Sequence, residues 1–353
     1  MVVVNFGYGG IGMQPHLVFF GDLVNKSMPD HEERFSRVDR NNKDSPFFKF
    51  VGNENAVMKL QVAAYKALSD PSHIMRDLSF AIFGPASTGK TTLARIYSQV
   101  VELPFIEVGP KAVKCLDDLF SIIDNVLVGY GIGLIEQRSK YYCLPPCVIF
   151  IDEVHALPNS VVQGLLKATE FNDASMATES GRVLDCYAAT WMIATTEEGQ
   201  LFDAFRTRFS PIRLEYLSKI DIARIVKNSN TDIPDHICNM IVDYNPRVPR
   251  KALEFARYCV MYRLMYPNNG WEDTVRTVAM QEGLNSNGLN NIQIKVLEIL
   301  NNGPISKRKL SDRLNKKEDE LENYIIPDLL AQNLVYVNAK GYNRTENCDG
   351  TVL

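Results

Sequence analysis

No apolar run in the chain approaches the ~18 residues that a membrane-spanning helix needs. No excess of charge of either sign marks it either. Its 38 basic and 42 acidic side chains leave a net charge of −4. Any contact with nucleic acid must therefore come from a local patch and not from the field of the whole molecule. The opening Met1-Val2-Val3-Val4-Asn5-Phe6 lacks the basic start of a secretory signal. Cysteine is sparse: Cys115, Cys143, Cys147, Cys186, Cys238, Cys259 and Cys348 form an odd, scattered set. That excludes a disulfide framework and implies reduced thiols, so the expected location is cytoplasmic. Cys143 and Cys147 have no second ligand pair at zinc spacing and read as a loop entering a buried strand. Internal repeats and low-complexity tracts are absent too. What remains, 353 residues at 46% hydrophobic and 23% charged, is a soluble globular composition long enough for two or three domains.

The most informative stretch runs from Gly84 to Thr92. Leu78-Ser79-Phe80-Ala81-Ile82 reads as a strand and Leu93-Ala94-Arg95-Ile96 as a helix. Between them, Gly84-Pro85-Ala86-Ser87-Thr88-Gly89-Lys90-Thr91-Thr92 carries the G-x-x-x-x-G-K-[ST] spacing of a phosphate-binding loop in its proper strand–helix setting. The two glycines let the backbone curl so that its N–H groups face an anion, and the positive end of the following helix adds to their field. Lys90 is placed for the β- and γ-phosphates of ATP, and the Thr91 hydroxyl for Mg²⁺.

Residues 1–46 read as an extension. Gly7-Tyr8-Gly9-Gly10-Ile11-Gly12 satisfies G-x-G-x-x-G, but Pro15 follows at once and no helical period does, so a dinucleotide site is not expected. Asp30 to Asp44 is charged and polar, as in a linker. Residues 47–216 alternate strands and helices, which predicts a doubly wound α/β domain with its chemistry at the C-terminal strand ends. Residues 217–284 are helical in period and read as a small lid, with segments at 220–227, 233–244 and 249–266. Asn285-Ser286-Asn287-Gly288 is a polar break. Residues 285–353 then give three short helices and two β runs, the winged-helix plan.

Cys147-Val148-Ile149-Phe150-Ile151 is wholly apolar and ends in Asp152-Glu153. A buried parallel strand looks like this, and its end falls beside the phosphate-binding loop. Asp152 suits a water-mediated Mg²⁺ contact, and Glu153 the deprotonation of an attacking water. Thr195 ends the next strand, within reach of that water or the γ-phosphate. Arg206 and Arg208 lie between strands four and five, where an arginine supplied to a neighbouring copy's nucleotide would sit. Arg250, in the first turn of a lid helix, is placed to couple nucleotide state to lid angle, with Arg247 as the alternative.

In order and spacing these stretches resemble the AAA+ ATPases, and more narrowly the RuvB family of Holliday-junction branch-migration motors. The resemblance runs from about Phe47 to Arg344. It rests on Val51-Gly52-Asn53-Glu54-Asn55, the loop from Gly84 to Thr92, Asp152-Glu153-Val154-His155, Ile193-Ala194-Thr195-Thr196, Phe205-Arg206-Thr207-Arg208-Phe209 and Val248-Pro249-Arg250. In the tail it rests on Gly288-Leu289, Asn302-Gly303-Pro304, Ile325 to Leu330 and Ala339-Lys340-Gly341.

The resemblance implies an ATPase using Mg²⁺, working as a hexameric ring on DNA. It makes Lys90 and Thr91 phosphate and metal ligands, Asp152 a metal-site residue, Glu153 the base, Thr195 sensor 1, Arg206 the finger and Arg250 sensor 2. Val51 and Gly52 become part of the adenine pocket. Lys340 and Arg344 become contacts to DNA phosphates, with Lys307, Arg308 and Lys309 nearby. The family's N-terminal LRPK run is replaced by Lys43-Asp44-Ser45-Pro46. The hairpin with which the family docks its partner RuvA corresponds to residues 171–189, where Met176 is the bulky apolar residue near the expected tip. Two other readings use the same parts. One is a clamp-loader- or initiator-type switch, and the other a nucleotide-sensing DNA-binding adaptor, against which Glu153 weighs.

Overall fold

The computed structural model describes residues 35–69, 79–170, 173–201, 203–245, 248–285 and 287–345. The Gly7–Gly12 run and Arg247 lie outside them. The described residues form two compact units. One takes the chain up to Phe50, Glu54–Gly84 and Gly89–Leu214, and the other takes Val51–Asn53, Pro85–Thr88 and the chain from Glu215 on.

The first unit is built on β1 (Phe80–Phe83), β2 (Phe105–Val108), β5 (Cys147–Ile151), β8 (Ala189–Thr195) and β9 (Ser210–Arg213), in the spatial order β2-β5-β8-β1-β9. All four pairings are parallel. Every residue of β1, β5 and β8 is buried, as expected where helices cover both faces. The pleat sends alternate residues to opposite sides. Phe80, Ile82, Val148, Phe150, Met192 and Ala194 join one core with α1 (Glu54–Ser69) and α2 (Lys90–Val100). Ala81, Phe83, Ile149, Ile151, Trp191 and Ile193 join the other, under α3 (Leu116–Gly129) and α4 (Asn159–Ala168). A short α5 (Asp203–Arg208) leads into β9.

Three features of this unit differ from the expectations. Residues 35–46 do not behave as a linker from Phe35 on. Val38 and Phe47 are buried in the α1–α2 core, and Arg40 donates to the Phe50 carbonyl at 2.8 Å. A second sheet, in the order β3-β4-β7-β6, was not foreseen. Its strands are β3 (Ile135–Arg138), β4 (Tyr141–Cys143), β6 (Ser175–Ala177) and β7 (Val183–Asp185). All of β3 is exposed, so no alternation of apolar and polar residues marks it. Finally, Met176 is fully buried in the core and not at a hairpin tip. The tip is the polar turn 178–182, and it is tied down. The Glu179 carboxylate accepts the free N–H groups of Leu116 and Asp117 at the start of α3, each at 3.2 Å. Asp117 in turn accepts from Ser180 N–H (2.9 Å), Ser180 Oγ (2.6 Å) and Arg182 Nη2 (2.6 Å). The Arg182 guanidinium lies 3.9 Å over the Phe120 ring. These bonds hold the Asp117 carboxyl far below the usual carboxylate range.

The second unit carries α6 (Lys219–Ser229), α7 (Asp235–Tyr244), α8 (Pro249–Met265) and α9 (Trp271–Gln281) around one core, and a winged helix around another. The fourth helix, Trp271–Gln281, lies within the stretch expected to be helical but was not among the three segments singled out; it buries Thr274, Val275, Val278 and Ala279 at helical spacing. The winged helix has α10 (Asn291–Leu300), α11 (Lys307–Leu314), and a third helical stretch of Glu318–Glu320, a π turn Leu321–Ile325 and Ile326–Ala331. Strands β10 (Val335–Asn338) and β11 (Gly341–Arg344) make the wing, and Ile305 bridges to Tyr342 as a third strand stub.

The break at 285–288 is a stapled corner. Asn285 Oδ1 accepts from Asn287 N–H (3.0 Å) and Leu289 N–H (2.9 Å), and Leu284 bridges to Asn290. Gly288, at φ 72°, has no room for a Cβ, which would overlap the Tyr244 carbonyl. Gly283, at φ 67°, has nothing within 4 Å of the same position. Gly288→Ala should therefore lower the melting temperature well beyond Gly283→Ala, which bears only the ~1–2 kcal/mol of a left-handed alanine. Equal shifts in a thermal melt would contradict the staple.

Candidate active site

Because β1, β5 and β8 run parallel and nearly in register, their C-terminal ends fall along one edge. Phe83 lies opposite Thr195, and Ile151 opposite Ile193. Gly84 follows β1, and its N–H donates to the Thr195 carbonyl at 3.4 Å. Only glycine fits there, since at φ 155° a Cβ would sit 2.6 Å from the Leu214 carbonyl oxygen. The loop then passes through left-handed backbone at Ser87 (φ 63°) and Gly89 (φ 96°) before α2 begins at Lys90. Thr88 Oγ1 closes a turn on the Pro85 carbonyl at 2.8 Å. Free N–H groups at the start of α2 suit an anion.

Lys90 is buried, and its Nζ donates to the Gly84 carbonyl at 2.9 Å. Burial pulls its pKa down, and the nearby carboxylates of Glu153 and Asp152 push it back. Asp152 shifts the other way. Burial and then the Glu153 charge push its carboxyl up, and Lys90 pulls it down. For both groups desolvation outweighs the attraction between them. Thr91 is half-buried beside Lys90 and Thr92 is exposed. A hydroxyl and a carboxylate are the hard oxygen donors that Mg²⁺ takes, together with water and phosphate. Among the described residues no group of three or more His, Cys, Asp or Glu is placed to hold a metal alone. Cys147 is fully buried, its thiol pushed up to about 12.

Glu153 turns sharply off β5. At φ 46° its backbone is left-handed, and its N–H donates to Asp152 Oδ1 at 3.1 Å. Its Oε2 accepts from the Thr196 N–H and the Thr196 hydroxyl, each at 3.1 Å. The buried Thr195 hydroxyl accepts from Glu197 N–H at 2.9 Å and lies 2.7 Å from His155 Nδ1. Thr195 is thus engaged along the strand ends, and it is Thr196 that touches the carboxylate. Sequence reasoning gave Thr196 and His155 no role, although both stand inside the motifs it singled out.

Both arginines of α5 fold back on their own copy. Arg206 Nη2 donates to the Glu198 carbonyl at 2.9 Å, and Nη1 lies 3.6 Å from Asp203. Arg208 donates to the Leu166 carbonyl and lies 3.5 Å from Glu170. In the second unit, Val51 and Gly52 are buried, and Asn53 pairs with the Glu215 backbone through Oδ1 (2.7 Å) and Nδ2 (3.3 Å). Arg250 is exposed at the second position of α8.

The candidate DNA contacts split. Lys340 is exposed in the wing turn, and Arg308 and Lys309 are exposed on α11. Lys307 is instead held by Glu322 at 2.7 Å and Glu318 at 3.6 Å, and Arg344 bonds Asn301 at the base of the wing. The third helix opens with Glu318, Asp319 and Glu320, an acidic start that repels phosphates.

Residues 80–215 match the family model described as ATPase family associated with various cellular activities (AAA). The Holliday junction branch migration complex subunit RuvB of Phytoplasma mali is 24% identical over 331 residues, covering 88% of this chain and 93% of that protein. RuvB of Helicobacter pylori strain G27 is 25% identical over 309 residues, 83% of this chain and 85% of its own length. The Thermotoga maritima RuvB Holliday junction branch migration motor has the same fold, with a TM-score of 0.67 at 23% identity over 84% of this chain and 93% of that one. Family model, strand-end chemistry and wing-bearing tail agree: the chain carries an AAA ATPase domain and is, along most of its length, a divergent likeness of RuvB.

Proposed function

We propose that this protein is an ATP-driven DNA translocase of the Holliday-junction branch-migration type, working as a ring of six copies. The observation that carries this is the meeting of Lys90, Asp152, Glu153 and the Thr195–Thr196 pair at one edge of the sheet, in a chain that ends in a winged helix. Lys90 and the loop N–H groups hold the triphosphate. Asp152 and Thr91 would hold Mg²⁺, which offsets the charge of the transferring phosphate. Glu153 takes a proton from the attacking water. Arg206 swings from its own Glu198 carbonyl to the γ-phosphate on the neighbouring copy, which links hydrolysis to assembly.

Transmission to DNA runs through the second unit. Lys251 stands next to Arg250 on α8 and pairs with Asp328 of the third winged-helix stretch. Asp328 also accepts from the buried Gln293 Nε2 at 3.1 Å. A half-exposed ion pair adds little stability, but this one joins the helix that bears Arg250 to the DNA-gripping domain. With the stapled corner it favours a lid and winged helix that turn together. Lys340, Arg308 and Lys309 then grip phosphates without reading bases. A RuvA-like partner docked by an apolar hairpin tip is not part of the proposal, because Met176 is buried.

Glu153→Gln should keep ATP binding and lose roughly 10²–10⁴-fold in kcat. Arg206→Ala and Lys90→Ala should each be inactive alone and regain part of the activity when mixed. No recovery would contradict a finger supplied by the neighbour, and Arg208→Ala in the same mixture tests the other candidate. Strand displacement from a branched DNA distinguishes a translocase from a loader, which should fail.

Lys251→Glu or Asp328→Lys should leave ATP hydrolysis intact and abolish strand displacement, and the double swap should restore it. Displacement at the wild-type rate in both single variants would rule the joint out. Lys340→Ala should weaken DNA binding evenly across sequences and flatten the salt slope by about one phosphate contact.

A further inference from the structure

We propose that His155 is a positioning residue for ATP hydrolysis, a wedge that fixes the Glu153 carboxylate against the end of β8 so that one oxygen is left to take the proton. This rests on the ATPase reading above. The two oxygens of Glu153 are not equivalent. Oε2 accepts both bonds from Thr196 at 3.1 Å and has His155 Nδ1 at 3.4 Å. Oε1 has no hydrogen bond among the described residues. The left-handed turn at Glu153 is what swings the side chain towards β8, and the short helical turn Val154–Ala156 then brings the imidazole back alongside it.

The ring is itself fixed at both nitrogens. The same Nδ1 that faces Glu153 lies 2.7 Å from the Thr195 hydroxyl, which the Glu197 N–H holds at 2.9 Å. Nε2 lies 3.7 Å from the Glu197 carboxylate. The side chain is only 17% exposed, so it is packed between the exits of β5 and β8. A base with a free rotamer loses the geometry that hydrolysis needs, and a locked neighbour prevents this. In the step itself, Oε1 takes a proton as the water oxygen bonds to the γ-phosphorus. The bond from that phosphorus to the bridging oxygen breaks, and its electron pair leaves with ADP. His155 touches neither water nor phosphate in this scheme and acts through Glu153.

The test is steady-state ATP hydrolysis by the full chain, with and without DNA, for His155→Ala, His155→Gln, Thr195→Val and Glu153→Gln. His155→Ala should lose roughly 10- to 100-fold in kcat with the KM for ATP and the melting temperature unchanged. His155→Gln keeps a polar group able to reach the Thr195 hydroxyl and should recover most of the rate. Combining His155→Ala with Thr195→Val should cost no more than His155→Ala alone, since both break one chain of contacts. If Glu153→Gln is inactive while His155→Ala keeps the wild-type kcat, the positioning role is overturned and the ATPase reading stands. If Glu153→Gln hydrolyses ATP at the wild-type rate, the base assignment fails and the positioning role with it. Loss of KM and melting temperature alike in His155→Ala and His155→Gln would make the ring a plain packing element and overturn the inference.

Discussion

The parallel register of three strands is the constraint from which the rest of the site follows. β5 and β1 both pair with β8, and the burial of every residue in all three holds that register. A slip by one residue would turn the Ile149–Ile151 side to the other core and point Asp152 away from the edge. The glycine turn after β1 and the left-handed turn after β5 then need no long-range guidance. Each strand end delivers its group where the others already are. The accessory sheet is tied separately to the start of α3 by Glu179 and Asp117.

Charge at that edge is out of balance in the protein alone. Two half-buried carboxylates face one buried lysine, and burial shifts both Lys90 and Asp152 towards their neutral forms. A buried pair held mainly by mutual attraction stabilises a fold weakly. A triphosphate with a divalent cation would supply the opposite partners for both signs at once. The same residues whose charges are poorly balanced among themselves are therefore the ones that would make nucleotide binding favourable there.

Much of this was legible in the sequence, for physical reasons that can be named. The strand Cys147–Ile151 is purely apolar because both its faces are covered, and the loop from Gly84 to Lys90 has no freedom in its glycines or lysine. The winged helix announced itself by three helical periods before a paired β run. What stayed hidden was set by tertiary partners. β3 shows no alternation because all of it faces solvent. Met176 reads like an exposed anchor, yet the polar turn beyond it is pulled onto α3 and the methionine goes inside. Lys307 reads as a DNA contact, and its pairing with Glu322, fifteen positions on, is a feature only the fold brings together. His155 and Thr196 were in view as letters of a motif. Their contacts with Glu153 depend on how β5 and β8 end side by side.

The central claim is that nucleotide is held at one sheet edge and completed by the next copy of the chain. Electron cryomicroscopy of the full-length protein with a non-hydrolysable ATP analogue and a four-way DNA junction tests it most directly. The account predicts a closed ring, with the γ-phosphate against Lys90 and Glu153 of one copy and Arg206 of its neighbour, and with the wing on the DNA backbone. Nucleotide bound away from Lys90, or separate copies with no arginine crossing to the next, would contradict it.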